Sequence, residues 1–363
     1  MGYLKYNYKD LKNLCNTSFK EFGFNSEESE TITEVLLLSD LFGIESHGVQ
    51  RLVRYYNGIK NGIMKVDAEI ETVHETLVSA VLDAHGAMGQ IVGKKAMEMA
   101  IEKAKVTGMG MVTVRNSNHY GIAGYYARMA EQEGLLGMSM TNTEAITVPT
   151  FGREAMMGSN PIAISMPAEP YPFLLDMSTS VVTRGKVEIY NKRKEPLPIG
   201  WTLDGDGKDT DNAKDVLYNI INKIGGGIVP LGGSGEGFSG HKGYGLAAAV
   251  DMFTGIFSGG ITSNHINGGK ASGTCHFFFA VDYGIFGDKD TIKNNMSKYL
   301  TELRESKKAV GATRIYTHGE KEIEAYKDRI ENGILVNENT LKEIEDMCNY
   351  LDIKVSDYLT EIK

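Results

Sequence analysis

The chain is predicted to be an α/β protein with a helical part contributed by both of its ends, and three observations carry that prediction. Apolar residues recur at helical spacing from Tyr8 to about Lys65. Between Leu77 and Val281, short β-rich runs alternate with amphipathic stretches. Beyond Asp290 the chain returns to helical spacing among many mixed charges. With 363 residues it can form one large or two medium domains, each with its own core. The expected division is a helical domain from residues 1–70 with about 335–363, and an α/β domain over 71–334.

In the first helix Leu11, Leu14 and Phe19 share one side, and Gly23 ends it. The second follows Asn25 or Ser26, with Glu28 placed for a capping box on Asn25 and with Ile32, Val35, Leu36 and Phe42 facing inward. After Asp67 the texture changes: Leu77–Asp83 reads as a strand, and Gln90–Val106 as a helix burying Val92, Ala96, Met99 and Ala100. Met109–Arg115 is a strand, Asn116-Ser117-Asn118 turns or caps, and Tyr120 to Gly134 is a helix carrying Ile122, Tyr126, Met129 and Ala130 on one face. Further strands are expected at Leu135–Thr141, Ile162–Met166, Phe173–Leu175 and Phe277–Val281, with a helix at Tyr244–Phe257. Asn191–Asp215, with Pro196 and Pro198, reads as a long polar loop able to cover a site. Its Asp204-Gly205-Asp206-Gly207 run lacks the full ligand series of a calcium loop and is expected to be a solvated turn. Helices at 290–307, 320–331 and 340–350 are expected to pack back on the first domain.

A net charge of −9 without a basic run argues against a nucleic-acid partner, because phosphate binding needs clustered lysine and arginine. The three cysteines, Cys15, Cys275 and Cys348, are far apart, fit a reducing compartment and offer no metal-ligand spacing. The first residues hold no apolar signal core, and Asp251 interrupts the apolar run Leu246–Phe257. A cytoplasmic protein without a membrane partner is expected.

His119 is seated at the joint of the strand-turn-helix, where the positive end of a helix disfavours an imidazolium and leaves a neutral ring able to accept or deliver a proton. The alternative is that it only caps the helix. A helix starting at Ser46 as N-cap would put His47, Arg51 and Arg54 on one face, a cationic fork suited to a small carboxylic acid. The alternative there is a solvated face. Gly235-Glu236-Gly237-Phe238-Ser239-Gly240 spells the dinucleotide fingerprint, yet neither the preceding hydrophobic strand nor the later acidic residue is present, so a Rossmann fold is rejected. The same glycine-rich stretch, running into Lys242, either binds a phosphate through its amides or is a flexible loop. With no Walker lysine, metal-binding helix or nucleophile elbow, redox chemistry on a diffusible cofactor remains.

Five segments in order, Gly43-Ile44-Glu45-Ser46-His47-Gly48, Asn116-Ser117-Asn118-His119-Tyr120-Gly121, Gly158-Ser159-Asn160-Pro161, Asp176-Met177-Ser178-Thr179-Ser180 with Arg184-Gly185-Lys186, and Gly240-His241-Lys242-Gly243-Tyr244-Gly245, resemble the motif set of the type-2 malate/L-lactate dehydrogenase family. The resemblance implies an NAD(P)-dependent oxidoreductase with a non-Rossmann, mixed-sheet α/β fold, no metal, and a homodimer with sites near the subunit interface. By the same resemblance His119 is the acid/base, with the Ser46–His47 pair its rival for the proton. Ser46, His47 and Arg51 hold the substrate's carboxylate, and Lys186 orients an acidic substrate. His119, Tyr120, Gly121, Thr143, Asp176, Met177, Ser178, Lys242 and Arg314 resemble cofactor contacts. A departure lies at Arg314-Ile315-Tyr316-Thr317-His318-Gly319-Glu320, where the family has proline before Gly-Glu. Arg51, Arg54 and Lys186 together suit two carboxylates, hence malate or oxaloacetate. Lactate, sulfolactate, ureidoglycolate, ketogulonate and cyclic imines are the alternatives within the family, and a non-catalytic carboxylate or nucleotide sensor is the alternative outside enzymes. NAD and NADP stay equally open, because no ribose-reading acid can be placed without the Rossmann frame.

Overall fold

The computed structural model describes residues 2–267 and 271–362. The chain opens with strand β1 (Tyr3–Tyr6) and helices α1 (Tyr8–Glu21), α2 (Ser26–Leu41) and α3 (Leu52–Lys60). Then come β2 (Glu71–Glu75), β3 (Ser79–Asp83), α4 (Gly89–Thr107), β4 (Met109–Ser117), α5 (Ala123–Gln132), β5 (Leu136–Thr141), β6 (Ile162–Met166) and β7 (Phe173–Met177). A third group is α6 (Arg184–Arg193), β8 (Thr202–Leu203), α7 (Ala213–Asn222) and β9 (Gly227–Ile228). The chain closes with α8 (Gly240–Asp251), β10 (Thr274–Val281), α9 (Lys289–Glu305), α10 (Glu320–Asn332), β11 (Ile334–Asn337) and α11 (Glu338–Tyr350).

Seven strands form the main sheet in the order β2-β3-β4-β10-β5-β6-β7. Only β3 and β4 run parallel; the other neighbours are antiparallel, so the sheet is mixed. Alternation along β10 explains how it serves two layers. Phe278 and Ala280 face the core beneath α4 and α5, with Val92, Ala96, Ala100, Tyr126 and Ala127. Phe277 and Phe279 face the opposite side, against Val250 of α8 and Phe253. The helical part has its own core, in which Leu11, Phe19, Leu36, Leu52 and Tyr55 meet Ile344 and Met347 of α11. Pairing of β1 with β11 joins the two chain ends there. A third cluster gathers Val187, Val216, Ile220 and Ile228 around α6, α7 and β9.

Local chemistry sets several boundaries as expected. Asn25 accepts from the Glu27 and Glu28 amides while Glu28 accepts from the Asn25 amide, a complete capping box. In the Asp204 turn, one side-chain oxygen accepts from the backbone of Asp206 and Lys208, which is a solvated turn. Other expectations are corrected. The helix after His119 starts only at Ala123, because Gly121 takes φ +86° and Asn118 spends its side chain on the Gly86 and Ala87 carbonyls instead of capping. The helix expected at 244–257 starts at Gly240 and widens into a π turn at Met252–Ile256. The expected loop at 191–215 holds β8 and is flanked by two unforeseen helices, α6 and α7. Helices α10 and α11 do pack on α2 and α3, but α9 instead meets the turn after β10. It buries only Leu300 and is anchored by polar contacts of Lys293 and Ser297 to Glu169. The glycine fingerprint lies between β9 and α8, away from any turn leaving the main sheet.

Where the sheet meets α8, one buried carboxylate gathers four donors. Asp251 accepts from the side chains of Asn142 and Asn160 and from both the amide and the hydroxyl of Ser263. Asn142 and Asn160 reach on to the Cys275 and Thr143 amides, so the ends of β5 and β10 and the segment before β6 are tied to one helix. Each buried donor left without a partner costs about 1–3 kcal/mol. Asp251→Ala is therefore expected to lower the unfolding free energy in urea by at least about 3 kcal/mol.

Candidate active site

The bend between β4 and α5 carries His119, and the broken helix start before α3 carries its companions. Gly48, at φ −85° and ψ −149°, interrupts the helix expected from Ser46, leaving two short turns, Glu45–His47 and Val49–Arg51, ahead of α3. Ser46 is thus not an N-cap. Its hydroxyl instead lies 2.9 Å from His47 Nδ1, and its carbonyl accepts from Arg51 Nε at 2.6 Å. The turn is set from below by Asp40, whose carboxylate accepts from the Val49 amide at 2.8 Å. A Cβ on Gly48 would fall 1.9 Å from Asp40 Oδ1, so the carboxylate occupies the space that any other residue would need.

The two histidine rings stack, centroids 5.4 Å apart and 25° from parallel. His119 Nδ1 lies 2.8 Å from the Tyr55 hydroxyl, with the Gly121 amide a longer 3.4 Å away. Behind His119 the start of α4 comes so close that a Cβ on Gly89 would sit 2.3 Å from the Asn118 carbonyl oxygen and 2.6 Å from that of His119. Burial first, then Arg51 and Arg54, pushes His47 down to about 4. Burial also holds His119 well below the ordinary histidine range, helped by Arg54, His47, Arg51 and His276. Both rings are neutral at pH 7. Their neutrality comes from desolvation and neighbouring cations, where for His119 the helix terminus had been expected to supply it.

Beneath the bend, Tyr120 turns into the core. Its ring stacks on buried His276 at 4.4 Å and 4°, and its hydroxyl meets Ser139 at 3.0 Å. His276 itself spans Ser117 and Thr141. Burial drives its ring down to about 3, so it is a neutral bridge. On the other side, exposed Asp176 accepts from the Gly124 amide at the start of α5. Met177 ends β7, and the Ser178 hydroxyl donates to the Ser180 carbonyl. Thr143 accepts from the Ser159 amide and Thr179 donates to the Ser159 and Asn160 carbonyls, so the Thr143 and Asp176–Ser180 segments meet through Ser159 and Asn160.

The remaining sequence candidates lie apart. Lys186 is exposed on α6 and hovers 6.0 Å over the Tyr190 ring, and Arg184 at the start of the same helix pairs with Glu188. Lys242 is exposed in the first turn of α8. Arg314 donates to Glu320 and Glu324 and stacks on Tyr316, which commits its guanidinium to its own segment. Sequence reasoning passed over Tyr55, Asp40, Gly89 and His276. Tyr55 alone left a signal, four residues after Arg51 on the same helical face.

The sequence profile described as Malate/L-lactate dehydrogenase matches residues 6–345. The chain belongs to this family. It is accordingly a dehydrogenase, and its likeness to individual family members covers nearly the full length. It is 42% identical to a malate dehydrogenase of Pyrococcus abyssi, over 97% of this chain and 98% of that one. It is 35% identical to an L-sulfolactate dehydrogenase of Methanocaldococcus jannaschii, over 96% of this chain and 97% of that one. The solved structure of malate dehydrogenase from Pyrococcus horikoshii superposes with a TM-score of 0.89 at 38% identity, covering 97% of both chains.

Within this family member, Asp40 makes the Ser46–Arg51 turn sensitive to pH. Burial pushes its carboxyl up to about 7, against the lowering effect of the Val49 amide and Arg329. A carboxyl whose folded value exceeds its unfolded one contributes stability at low pH and loses it as the pH rises through the folded value. Wild type is therefore expected to lose on the order of 3 kcal/mol relative to Asp40→Asn between pH 5 and pH 8, read from urea unfolding at both.

Proposed function

We propose that the chain interconverts a small 2-hydroxy acid and its 2-oxo acid with NAD or NADP, and that malate and oxaloacetate are the pair it handles. The observation that carries this reading is the stacked, uncharged His47–His119 pair beside Arg51 and Arg54. Arg51 uses Nε on the Ser46 carbonyl, and among the described residues its terminal nitrogens make no hydrogen bond, which leaves a planar fork for a carboxylate. Arg54 is exposed at the same end of α3 and supplies further positive charge for a second carboxylate. Relatives named malate dehydrogenase favour the four-carbon diacid over lactate, sulfolactate or ureidoglycolate.

The residues suit a nicotinamide dinucleotide. Thr143, Ser159 and Ser178 hydroxyls and the Asp176 carboxylate, which accepts from the Gly124 amide at the start of α5, gather at the ends of β5, β6 and β7. This set of neutral donors with one acceptor matches ribose hydroxyls and a diphosphate, with the Lys242 loop as an added point of charge. When bound, the nicotinamide supplies the hydride acceptor or donor. His119 takes the substrate's hydroxyl proton in oxidation and returns it in reduction. A diacid held by Arg51 and Arg54 offsets the cations that depress His119, so substrate binding favours proton uptake by the ring.

Leu246, Met252, Ile256 and Phe257 form an exposed apolar face on and after α8, which supports a homodimer. Three buried free thiols fit a cytoplasmic setting.

His119→Ala is expected to reduce turnover at least about 100-fold, the low end for general acid/base catalysis; a variant keeping a tenth of wild-type turnover would remove His119 as proton carrier. Arg51→Leu is expected to raise KM for oxaloacetate about 10-fold or more, as loss of a charge-assisted bidentate contact does. An unchanged KM would take Arg51 out of the binding site.

A further inference from the structure

Tyr55 is fully buried on the inner face of α3, and its hydroxyl is the close partner of His119 Nδ1. Behind the phenol lies Gln90, in the first turn of α4. Its side-chain nitrogen and oxygen are both buried without a hydrogen-bond partner among the described residues, and its carboxamide is near enough to act on the phenol. Two arrangements satisfy the 2.8 Å contact between Tyr55 and His119. If the phenol donates to Nδ1, the neutral ring carries its proton on Nε2, which then has no lone pair for a substrate proton, while the phenol oxygen can still accept from the Gln90 amide. If the phenol accepts from Nδ1–H, its own proton turns to the Gln90 carboxamide oxygen and Nε2 keeps its lone pair. Both arrangements give Gln90 a partner, and only the second leaves Nε2 free to accept the substrate's proton, at the expense of the long Gly121 contact.

We propose that Tyr55, backed by Gln90, is the positioning residue that holds His119 as its Nδ1–H tautomer and so frees Nε2 for the substrate's hydroxyl proton. This rests on the reading of His119 as proton carrier. In oxidation the substrate O–H bond breaks, an Nε2–H bond forms, and the ring becomes an imidazolium whose Nδ1–H still donates to Tyr55. Reduction runs the reverse. Tyr55 stays protonated throughout, because burial raises its phenol to about 12. The charged form of His119 is opposed by His47, Arg51 and Arg54 from the amino-terminal segment and by His276 from β10. Tyr55 is the neutral acceptor that partly offsets them.

The test pairs kinetics with nitrogen NMR of the imidazoles. In wild type the neutral His119 ring is expected to carry its proton on Nδ1. Tyr55→Phe is expected to lower kcat about 10- to 100-fold, as loss of a histidine-orienting partner does, with KM for oxaloacetate within about twofold. The basic limb of the reduction rate, which needs the imidazolium, should move to lower pH because its acceptor is gone. Gln90→Leu, which leaves the phenol in place, should move that limb the same way by less. A wild-type ring protonated on Nε2, or a limb unmoved in both variants, overturns the proposal. The tautomer is read without turnover, so it judges Tyr55 separately from His119→Ala, whose retained activity would sink the proton-carrier reading instead.

Discussion

The hydrogen bond between Tyr55 and His119 crosses from the helical core to the bend above the main sheet, and the site depends on that crossing. Tyr55 belongs to the cluster around α1, α2, α3 and α11, whereas Tyr120 and Ala123, on either side of the bend, belong to the core under α4 and α5. The helical part brings His47 and Arg51, and the bend above the sheet brings His119. Their meeting puts a titratable ring beside two fixed cations, and desolvation with Coulomb repulsion then keeps the ring uncharged.

Precision at this crossing comes from missing side chains as much as from present ones. Gly89 lets α4 press against the carbonyls of Asn118 and His119, and Gly121 supplies the positive φ that delays α5 and leaves His119 in a bend. On the far side of the sheet the Asp251 network does the same for the segments at Asn142, Asn160 and Ser263, with every polar atom of the tie matched. The segment carrying His119 and the segments at Asn142, Asn160 and Ser263 are thereby held by different devices, one steric and one polar, joined through His276 between β4 and β5.

Much of this was legible locally. The strand Ile162–Met166 and the Asn25 capping box fall where the alternation and the cap residues put them, since both depend on neighbours in sequence. What escaped depended on distant partners. Strands β1 and β11 pair across most of the chain, and α6 buries only Val187, so neither leaves a periodic stripe. The motif residues Ser46, His47, Arg51 and His119 are brought together, but the helix thought to align three of them is broken at Gly48. Tyr55 and Asp40 act through contacts 64 and 9 residues away, which residue type alone does not announce.

Asp40 and Gly48 share one small volume, with the carboxylate of the first filling the room a side chain on the second would take. The two positions are consequently epistatic. A lineage that enlarges residue 48 has first to shrink residue 40, and the intermediate with both spaces empty loses the support of the turn. Divergence toward other acids is therefore channelled to exposed Arg54 and to α6, where change carries no such debt.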